Sequence, residues 1–152
     1  MMQTSPAGRA MIERFEGLVL KAMRPMHGTD VWTIGYGHTG PDVYEGLVWT
    51  KEQADEALSH RLANEFEPGV LHAIKSPPTP VTQGQFDAMV SLAYNIGVRG
   101  FAGSEVARHH MAGEYQEASD AFDNWANYHG QHNDALAHRR DVEGQMYLDA
   151  SP

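Results

Sequence analysis

The sequence predicts an α+β domain that is mostly helical and has one small β-hairpin lobe near its N-terminus. Residues 18–48 hold many glycines and turn residues around a run of strand-forming residues. Two capping boxes, at Thr50 and Thr82, each open a run with apolar residues at helical spacing. A proline-rich segment at 75–80 separates the two runs and cannot be helical. These features predict a small sheet followed by several helices.

Length and composition bound the class of protein. The chain has 152 residues, which suits one domain that buries about two thirds of its unfolded surface. It has no cysteine, so a disulfide framework is excluded. No apolar run approaches the roughly 20 residues that span a bilayer, and the polar N-terminus lacks the apolar core of a signal peptide. The net charge of −9 argues against nucleic acid as a ligand. We therefore expect one domain over residues 1–152 that does not insert into a membrane.

The first helix is predicted to begin at Ser5 and Pro6, which are typical of an N-cap and a first helical position, and to end near Glu16. Gly17 follows and can take the positive φ that ends a helix. Further on, VWTIGYGH has the β-branched and aromatic residues of a strand, with glycines that allow close approach to the backbone. The carboxylate of Glu16 is thus expected to face a short hairpin.

The helices of the second half follow the same rules. The Thr50 helix is expected to kink or break at Pro68–Gly69. The helix after Thr82 is the most apolar in the chain and is predicted to form the core of a second lobe, ending at 95–97. Three more helices are predicted, with starts at Ser104, Glu114 and Asn133.

Several motifs in the same order resemble one known family. EGLVLKA followed by WTIGYGHTGPDV is similar to the phage-lysozyme endolysins of glycoside hydrolase family 24. The similarity continues through TQGQFDAMVSLAYNIGVRGFAGS and from Trp125 to Glu143, so it covers nearly the whole chain. The resemblance implies a lysozyme-like fold in which a long helix joins a β-containing lobe, at about 15–50, to a helical lobe, at about 70–150. It also implies hydrolysis of the β-1,4 bond between N-acetylmuramic acid and N-acetylglucosamine in peptidoglycan.

The resemblance also implies the first site residues, with Glu16 as the catalytic acid and Thr33 as the residue that helps to hold the attacking water. Chemistry gives the requirement for the acid, because a group that protonates the leaving oxygen must keep its proton in an apolar, partly closed site. A carboxylate at a helix end is otherwise most often an exposed surface group, so the assignment of Glu16 depends on the motif.

The family's second catalytic residue has no direct counterpart. Pro25 stands nine positions after Glu16, where the family has Asp or sometimes Cys. Six positions before Thr33 stands His27, which implies a loop about two residues longer, and Asp30 is the only carboxylate in that loop. Either side chain can act as the base that activates water, and either can equally be an exposed loop residue. Both alternatives stay open at this point.

The resemblance further suggests four substrate-binding residues, which are His38, Tyr36, Asn95 and Arg140. Arg139 is a second candidate on the last helix, either to pair with Glu16 or to contact the substrate, and one of the two arginines is expected on a solvated helix face. Two histidine pairs raise the question of a metal, 109–110 and the loop pair 129 and 132. No Cys accompanies either pair, and the loop pair has no clear third ligand. We expect no metal and no cofactor.

The family also implies how the protein would work in its host. We expect a monomeric endolysin that accumulates in the bacterial cytoplasm. It would reach the wall when a holin-type partner permeabilises the membrane, and its action on the wall would lyse the host. One alternative is a lytic transglycosylase on the same fold, since that reaction needs one acid and no second carboxylate. The other is a non-catalytic wall-binding or virion module. Replacing Glu16 with Gln separates an enzyme from a binding module.

Overall fold

The computed structural model describes residues 2–24, 31–75 and 80–149. Helices predominate, and short antiparallel strands form two small sheets. The α+β class predicted from the sequence is confirmed. Within the described ranges, no helix combines the length and the apolar character needed to cross a bilayer.

The first helix, α1, spans Pro6–Glu16. The side chain of Ser5 caps it by accepting a hydrogen bond from the N–H of Gly8. Gly17 follows the helix with a φ of 73°, a conformation that favours glycine. Both predicted ends are confirmed, so Glu16 is the last residue of α1.

The larger sheet has three strands in the order β1 (Val19–Met23), β2 (Thr33–Gly35) and β3 (His38–Thr39). Both pairings are antiparallel. Ile34 is opposite His38 in the register and packs with Ala22 and Val43 in a small apolar core. Thr33 is opposite Thr39, on the other face, because successive residues of a strand alternate. The strand pairing predicted within 18–48 is therefore confirmed, and Thr33 points away from the apolar core of the sheet.

A long helical segment follows, composed of α2 (Lys51–Arg61), a π-helical turn (Leu62–Phe66) and α3 (Glu67–Ile74). Thr50 makes the predicted capping box at its start. A kink or break is predicted at Pro68–Gly69, but helical turns continue through both residues. The irregularity lies one turn earlier, in the π-helical turn, and Pro68 occupies the first turn of α3, where a missing N–H is tolerated.

The remaining elements are α4 (Gln83–Ile96), α5 (Val98–Ala102), α6 (Glu105–Met111), α7 (Tyr115–Ala121), a 3-10 turn (Phe122–Trp125), β4 (Asn127–Tyr128), β5 (Gln131–His132) and α8 (Asp134–Leu148). The centre of this part is α4, whose residues 85–93 are all buried and which packs against α1 and α8. The predicted caps at Thr82, Ser104 and Asn133 are confirmed.

The chain after α7 differs from its prediction. One helix is predicted from Glu114 to about Ala126, but α7 tightens into the 3-10 turn and a short hairpin follows. His129 and Gly130 connect the two strands with φ values of 50° and 78°, the left-handed conformations of a two-residue hairpin turn. Strands of two residues are too short to leave an alternating pattern in the sequence, which is why this segment reads as a loop.

Candidate active site

The end of α1 and the middle of α8 meet at an ion pair. Oε2 of Glu16 lies 2.8 Å from Nη1 of Arg139, and the two side chains are 17% and 6% exposed. The guanidinium of Arg139 also lies over the ring of Phe15, 5.3 Å from the ring centroid. Glu16 is therefore a partly enclosed carboxylate with an arginine on one side and an aromatic ring beside it.

The turn between β2 and β3 approaches the other oxygen of Glu16. A Cβ atom at Gly37 would lie 2.6 Å from Oε1 of Glu16, and Gly37 has a φ of 77°. Only glycine meets both conditions, since a larger residue would strain the backbone and displace the carboxylate. The hydroxyl of Tyr94, on α4, donates a hydrogen bond to the carbonyl of Tyr36 and ties this turn to the helical core.

Burial raises the pKa of the Tyr94 phenol, and the nearby Glu16 carboxylate raises it further. Tyr94 is therefore a neutral hydrogen-bond donor at neutral pH. Its contact with the carbonyl of Tyr36 keeps the turn at a constant distance from α4.

Thr33 is half-buried on the face of the sheet that points away from the small apolar core. Its hydroxyl makes one long contact, at 3.5 Å, with the carbonyl of Val31. A hydroxyl can donate and accept, so this position can hold a water molecule. The two candidates for the base, His27 and Asp30, lie outside the described residues, as does Pro25.

The model of the phage lysozyme family matches residues 13–143. The chain belongs to the phage lysozyme family. It is 38% identical over 152 residues to the endolysin of Salmonella phage P22, covering 97% of this chain and 99% of that protein. The muramidase domain of SpmX from Asticaccaulis excentricus superposes with a TM-score of 0.82 at 38% identity, covering 98% of this chain and 99% of that one.

A second relative differs in length. The endolysin of Bacillus phage B103 is 37% identical over 147 residues, which cover 97% of this chain and 54% of the relative. The chain thus spans about half the length of this relative. The family resemblance read from the sequence motifs is confirmed.

Glu143 is the most informative residue of this phage lysozyme site that the sequence analysis did not single out. Its side chain has no exposed surface and contacts both arginines of α8. The spacing contains the signal, because residues three and four positions apart lie on the same helix face and Glu143 follows Arg140 and Arg139 at those intervals. Ser91, on α4, was also missed and donates its hydroxyl to Oε2 of Glu143 at 2.5 Å.

Two of the residues expected to bind substrate, Arg140 and Tyr36, are buried. Arg140 is 0% exposed and Nε lies 2.7 Å from Oε1 of Glu143, so it cannot contact a substrate. The expectation that one of the two arginines lies on a solvated helix face is also wrong, because Arg139 is buried too. Tyr36 is buried as well, and its hydroxyl lies 3.2 Å from Oδ1 of Asp55 on α2. The tyrosine ring belongs to the core and only its carbonyl faces Tyr94.

His38 lies on the α2 side of the sheet and is not grouped with Glu16. Its Nε2 is 3.0 Å from Oδ2 of Asp42, and its ring packs against the indole of Trp49 with a centroid distance of 5.3 Å. The register explains this orientation, because His38 is paired with Ile34 and lies on the same face of the sheet, whereas Thr33 lies on the other face. The side chain of His38 lines a pocket of about 360 Å³ together with residues of α2.

Asn95 is the expected substrate-binding residue whose position fits that role. It is exposed and lines a pocket of about 480 Å³ with Trp125 and Tyr128. Leu136, one turn before Arg139 on α8, forms part of the same wall. Aromatic rings beside amide groups are suited to sugars, which present apolar ring faces and many hydroxyls. The short β4–β5 hairpin supplies Tyr128, which only the structure brings here.

The histidine pairs make other contacts. His109 lies 3.0 Å from Oε1 of Glu114, and His110 is buried with Nδ1 2.6 Å from the hydroxyl of Tyr147. His132 lies 3.2 Å from Oδ1 of Asp134. Among the described residues, no group of three His, Cys, Asp or Glu side chains is arranged to hold a metal ion.

Proposed function

We propose that this chain is a muramidase that hydrolyses the β-1,4 bond between N-acetylmuramic acid and N-acetylglucosamine in peptidoglycan. The observation that supports this most directly is the half-enclosed carboxylate of Glu16, with Oε2 on Arg139 and Oε1 against the turn at Gly37. Membership of the phage lysozyme family supports the substrate class. The whole chain, 1–152, would act as one catalytic domain.

In this proposal Glu16 donates its proton to the leaving glycosidic oxygen while positive charge develops on the sugar. Thr33 holds the water that attacks the opposite face of the sugar ring. Asn95 and the rings of Trp125 and Tyr128 bind a neighbouring sugar of the glycan strand, which positions the scissile bond.

Replacing Glu16 with Gln tests the acid, because the amide keeps the shape of the side chain and cannot donate the proton. The variant should lose at least nine tenths of wall lysis, about 10-fold or more, in a turbidity assay on permeabilised Gram-negative cells, with an unchanged circular dichroism spectrum. Residual lysis above one tenth of wild type would contradict the assignment. A binding module predicts no difference between the two proteins.

The two candidates for the base are His27 and Asp30, which stand between β1 and β2 in the sequence, and a third possibility is that neither side chain acts as the base. An inverting hydrolase places acid and base about 6.5–9.5 Å apart, which leaves room for water. A histidine base must be neutral, so activity would fall on acidification through roughly pH 6–7, whereas an aspartate base would stay competent to about pH 4–5. Lysis by His27→Ala and Asp30→Ala proteins distinguishes the two. If both keep wild-type rates and release only reducing ends, neither side chain is the base.

The products separate hydrolysis from the transglycosylase reaction. Hydrolysis leaves reducing N-acetylmuramic acid ends, and transglycosylation leaves anhydro-muramyl ends, which mass spectrometry of digested peptidoglycan distinguishes. We expect reducing ends.

We further propose that the protein acts as a monomer and reaches the wall from the cytoplasm when a holin-type partner permeabilises the membrane. This part is supported by the family resemblance alone. Expression of the chain in bacteria should lyse cells only when a holin or chloroform is also supplied. Lysis without either would contradict the proposed dependence.

A further inference from the structure

Three buried charged side chains, Arg139, Glu143 and Arg140, form a continuous cluster with the proposed acid Glu16. Arg139 uses three nitrogens, each for a different partner. Its Nη1 lies 2.8 Å from Oε2 of Glu16, its Nε 3.2 Å from Oε2 of Glu143, and its Nη2 3.1 Å from the carbonyl of Ser91. Two of the three contacts therefore fix the guanidinium from behind, and only Nη1 reaches the acid.

Glu143 links the two arginines. Besides Arg139, it contacts Arg140, whose Nε lies 2.7 Å from Oε1 and whose Nη2 lies 3.3 Å from Oε2. The side chains of Glu143 and Arg140 have no exposed surface, so neither residue contacts a substrate. The two glutamates and two arginines balance in charge when all four are ionised.

The ionised form of Glu143 is the one that this cluster requires. Burial raises the pKa of the Glu143 carboxyl, while Arg140, Arg139 and the hydrogen bond from Ser91 oppose that rise. A guanidinium does not lose its proton in a protein, so a neutral Glu143 would leave two buried cations to share the carboxylate of Glu16.

An acid catalyst has to hold a proton, and a cation beside a carboxylate favours loss of that proton. The charge of Arg139 must therefore be partly balanced by a group other than Glu16. Glu143 is the carboxylate in contact with Arg139 on the side away from the acid.

We propose that Glu143 is a positioning residue for the proposed hydrolysis, which fixes Arg139 against Oε2 of Glu16 and shares the charge of that arginine. This inference rests on the proposed function. Its consequence is that the pH at which Glu16 stops acting as an acid depends on a residue that never meets the substrate.

Other charged or titratable groups lie near the acid, and they also affect the pH dependence of Glu16. From α4, the phenol of Tyr94 interacts with Glu16, and from α8, Arg140 does so. Arg61, paired with Glu65, acts on the same tyrosine from the long helical segment. On α1 itself, Glu13 is paired with Arg9.

His138 is the exposed titratable side chain closest in sequence to Arg139, and its ring lies edge-on to Phe15 at 6.1 Å. The measurements are therefore made in a His138→Gln background, in which this imidazole beside Phe15 is absent. The sheet contributes Gly37, which carries no charge, to the surroundings of Glu16.

The test is the pH dependence of kcat/KM for release of reducing ends from purified peptidoglycan, because its alkaline limb reports loss of the proton from the free enzyme's acid. Glu143→Gln should move this limb to lower pH by about one unit, since Arg139 loses a counter-charge. Arg140→Met should move it to higher pH by about half a unit or more, because a cation is removed and Glu143 keeps its contact with Arg139.

Ser91→Ala is the matched control, since it removes a hydrogen bond to Glu143 and leaves every charge in place. Its alkaline limb should stay within about 0.3 pH units of the parent, whatever its rate. Circular dichroism shows whether each variant folds. If Glu143→Gln does not fold, Arg140→Met decides alone, because an unmoved limb in that variant overturns the proposal.

A purely structural role for Glu143 predicts the same fractional loss of activity at every pH, and that result also overturns the proposal. Failure of the proposed function looks different. In that case the parent protein itself would release no reducing ends, and no profile would exist to shift.

Discussion

The middle and the end of α8 hold buried polar groups of two different kinds. Arg139, Arg140 and Glu143 lie together with Glu16, and each charge has an opposite charge within 3.3 Å. Near the end of the helix, the hydroxyl of Tyr147 contacts His110, and no charged group of the described residues contributes to the pKa shift of this imidazole. The first cluster is charged and compensated, and the second is neutral.

The difference shows how the same protein interior handles two titratable groups. A buried charge is retained where counter-charges and hydrogen bonds satisfy it, as at Glu143. Where none is present, burial lowers the pKa of the imidazole, and His110 stays neutral. We therefore expect the charged cluster to control activity and the neutral pair to control only the stability of the fold in acid.

The largest effect is expected from breaking the charged cluster. Arg139→Gln leaves Glu16 without its cation and Glu143 with one arginine, so lysis should fall about 100-fold or more and the free energy of unfolding by about 3–5 kcal/mol. Turbidity assays and urea unfolding measure the two effects.

Arg108→Gln is the control for Arg139→Gln, because Arg108 and its partner Glu105 are 59% and 50% exposed. Its loss should stay below about 1 kcal/mol. Equal losses in the two variants would contradict the contrast between buried and exposed pairs.

A smaller effect is expected at the other oxygen of Glu16. Gly37→Ala places a Cβ 2.6 Å from Oε1 and strains a residue with a φ of 77°. Displacement of the acid should lower lysis by about 10–100-fold.

Gly46→Ala provides the control for Gly37→Ala, since Gly46 has a φ of 90° and no heavy atom within 4 Å of the added Cβ. It shares the backbone strain and lacks the contact, so both variants should lose about 1 kcal/mol or more of stability while only Gly37→Ala loses activity. Retained lysis in Gly37→Ala would mean that the turn does not position the acid.

The smallest effect is expected at His110 and concerns acid stability. Burial lowers the pKa of His110 from its ordinary value of 6.5, so the unfolded chain binds a proton that the folded protein does not. Stability should therefore fall as the pH drops below about 6.5, by at most about 1.4 kcal/mol per pH unit, until the folded pKa is reached. His110→Gln should flatten this slope in urea unfolding between pH 7 and pH 5.

Exposed His72 offers the comparison, because His72→Gln removes a histidine without changing a buried one. Its slope should match that of the wild type. If His110→Gln and His72→Gln have the same slope, His110 is not the source of acid sensitivity. Neither change should alter the alkaline limb of the activity profile, which depends on the charged cluster.

Local signals in the sequence were sufficient for much of the secondary structure. The caps at Ser5, Thr50 and Thr82 form as predicted, because each requires only a side-chain oxygen and an N–H three residues away. The hairpin with Thr33 forms where strand formers alternate with glycines. The motifs that end α1 at Glu16 also sufficed to recognise the family, and the match over 13–143 confirms it.

Contacts between distant segments were decided only by the tertiary structure. Arg140 reads as a surface residue in a polar helix, and it is buried because Glu143 and α4 enclose it. Tyr36 reads as part of a cleft wall, but its ring lies in the core, where its hydroxyl contacts Asp55, 19 positions away. A sequence determines which backbone conformations are low in free energy over a few residues. The burial of a charge depends instead on partners that are distant in sequence. Ser91 and Arg139 are 48 positions apart, and only packing brings them together.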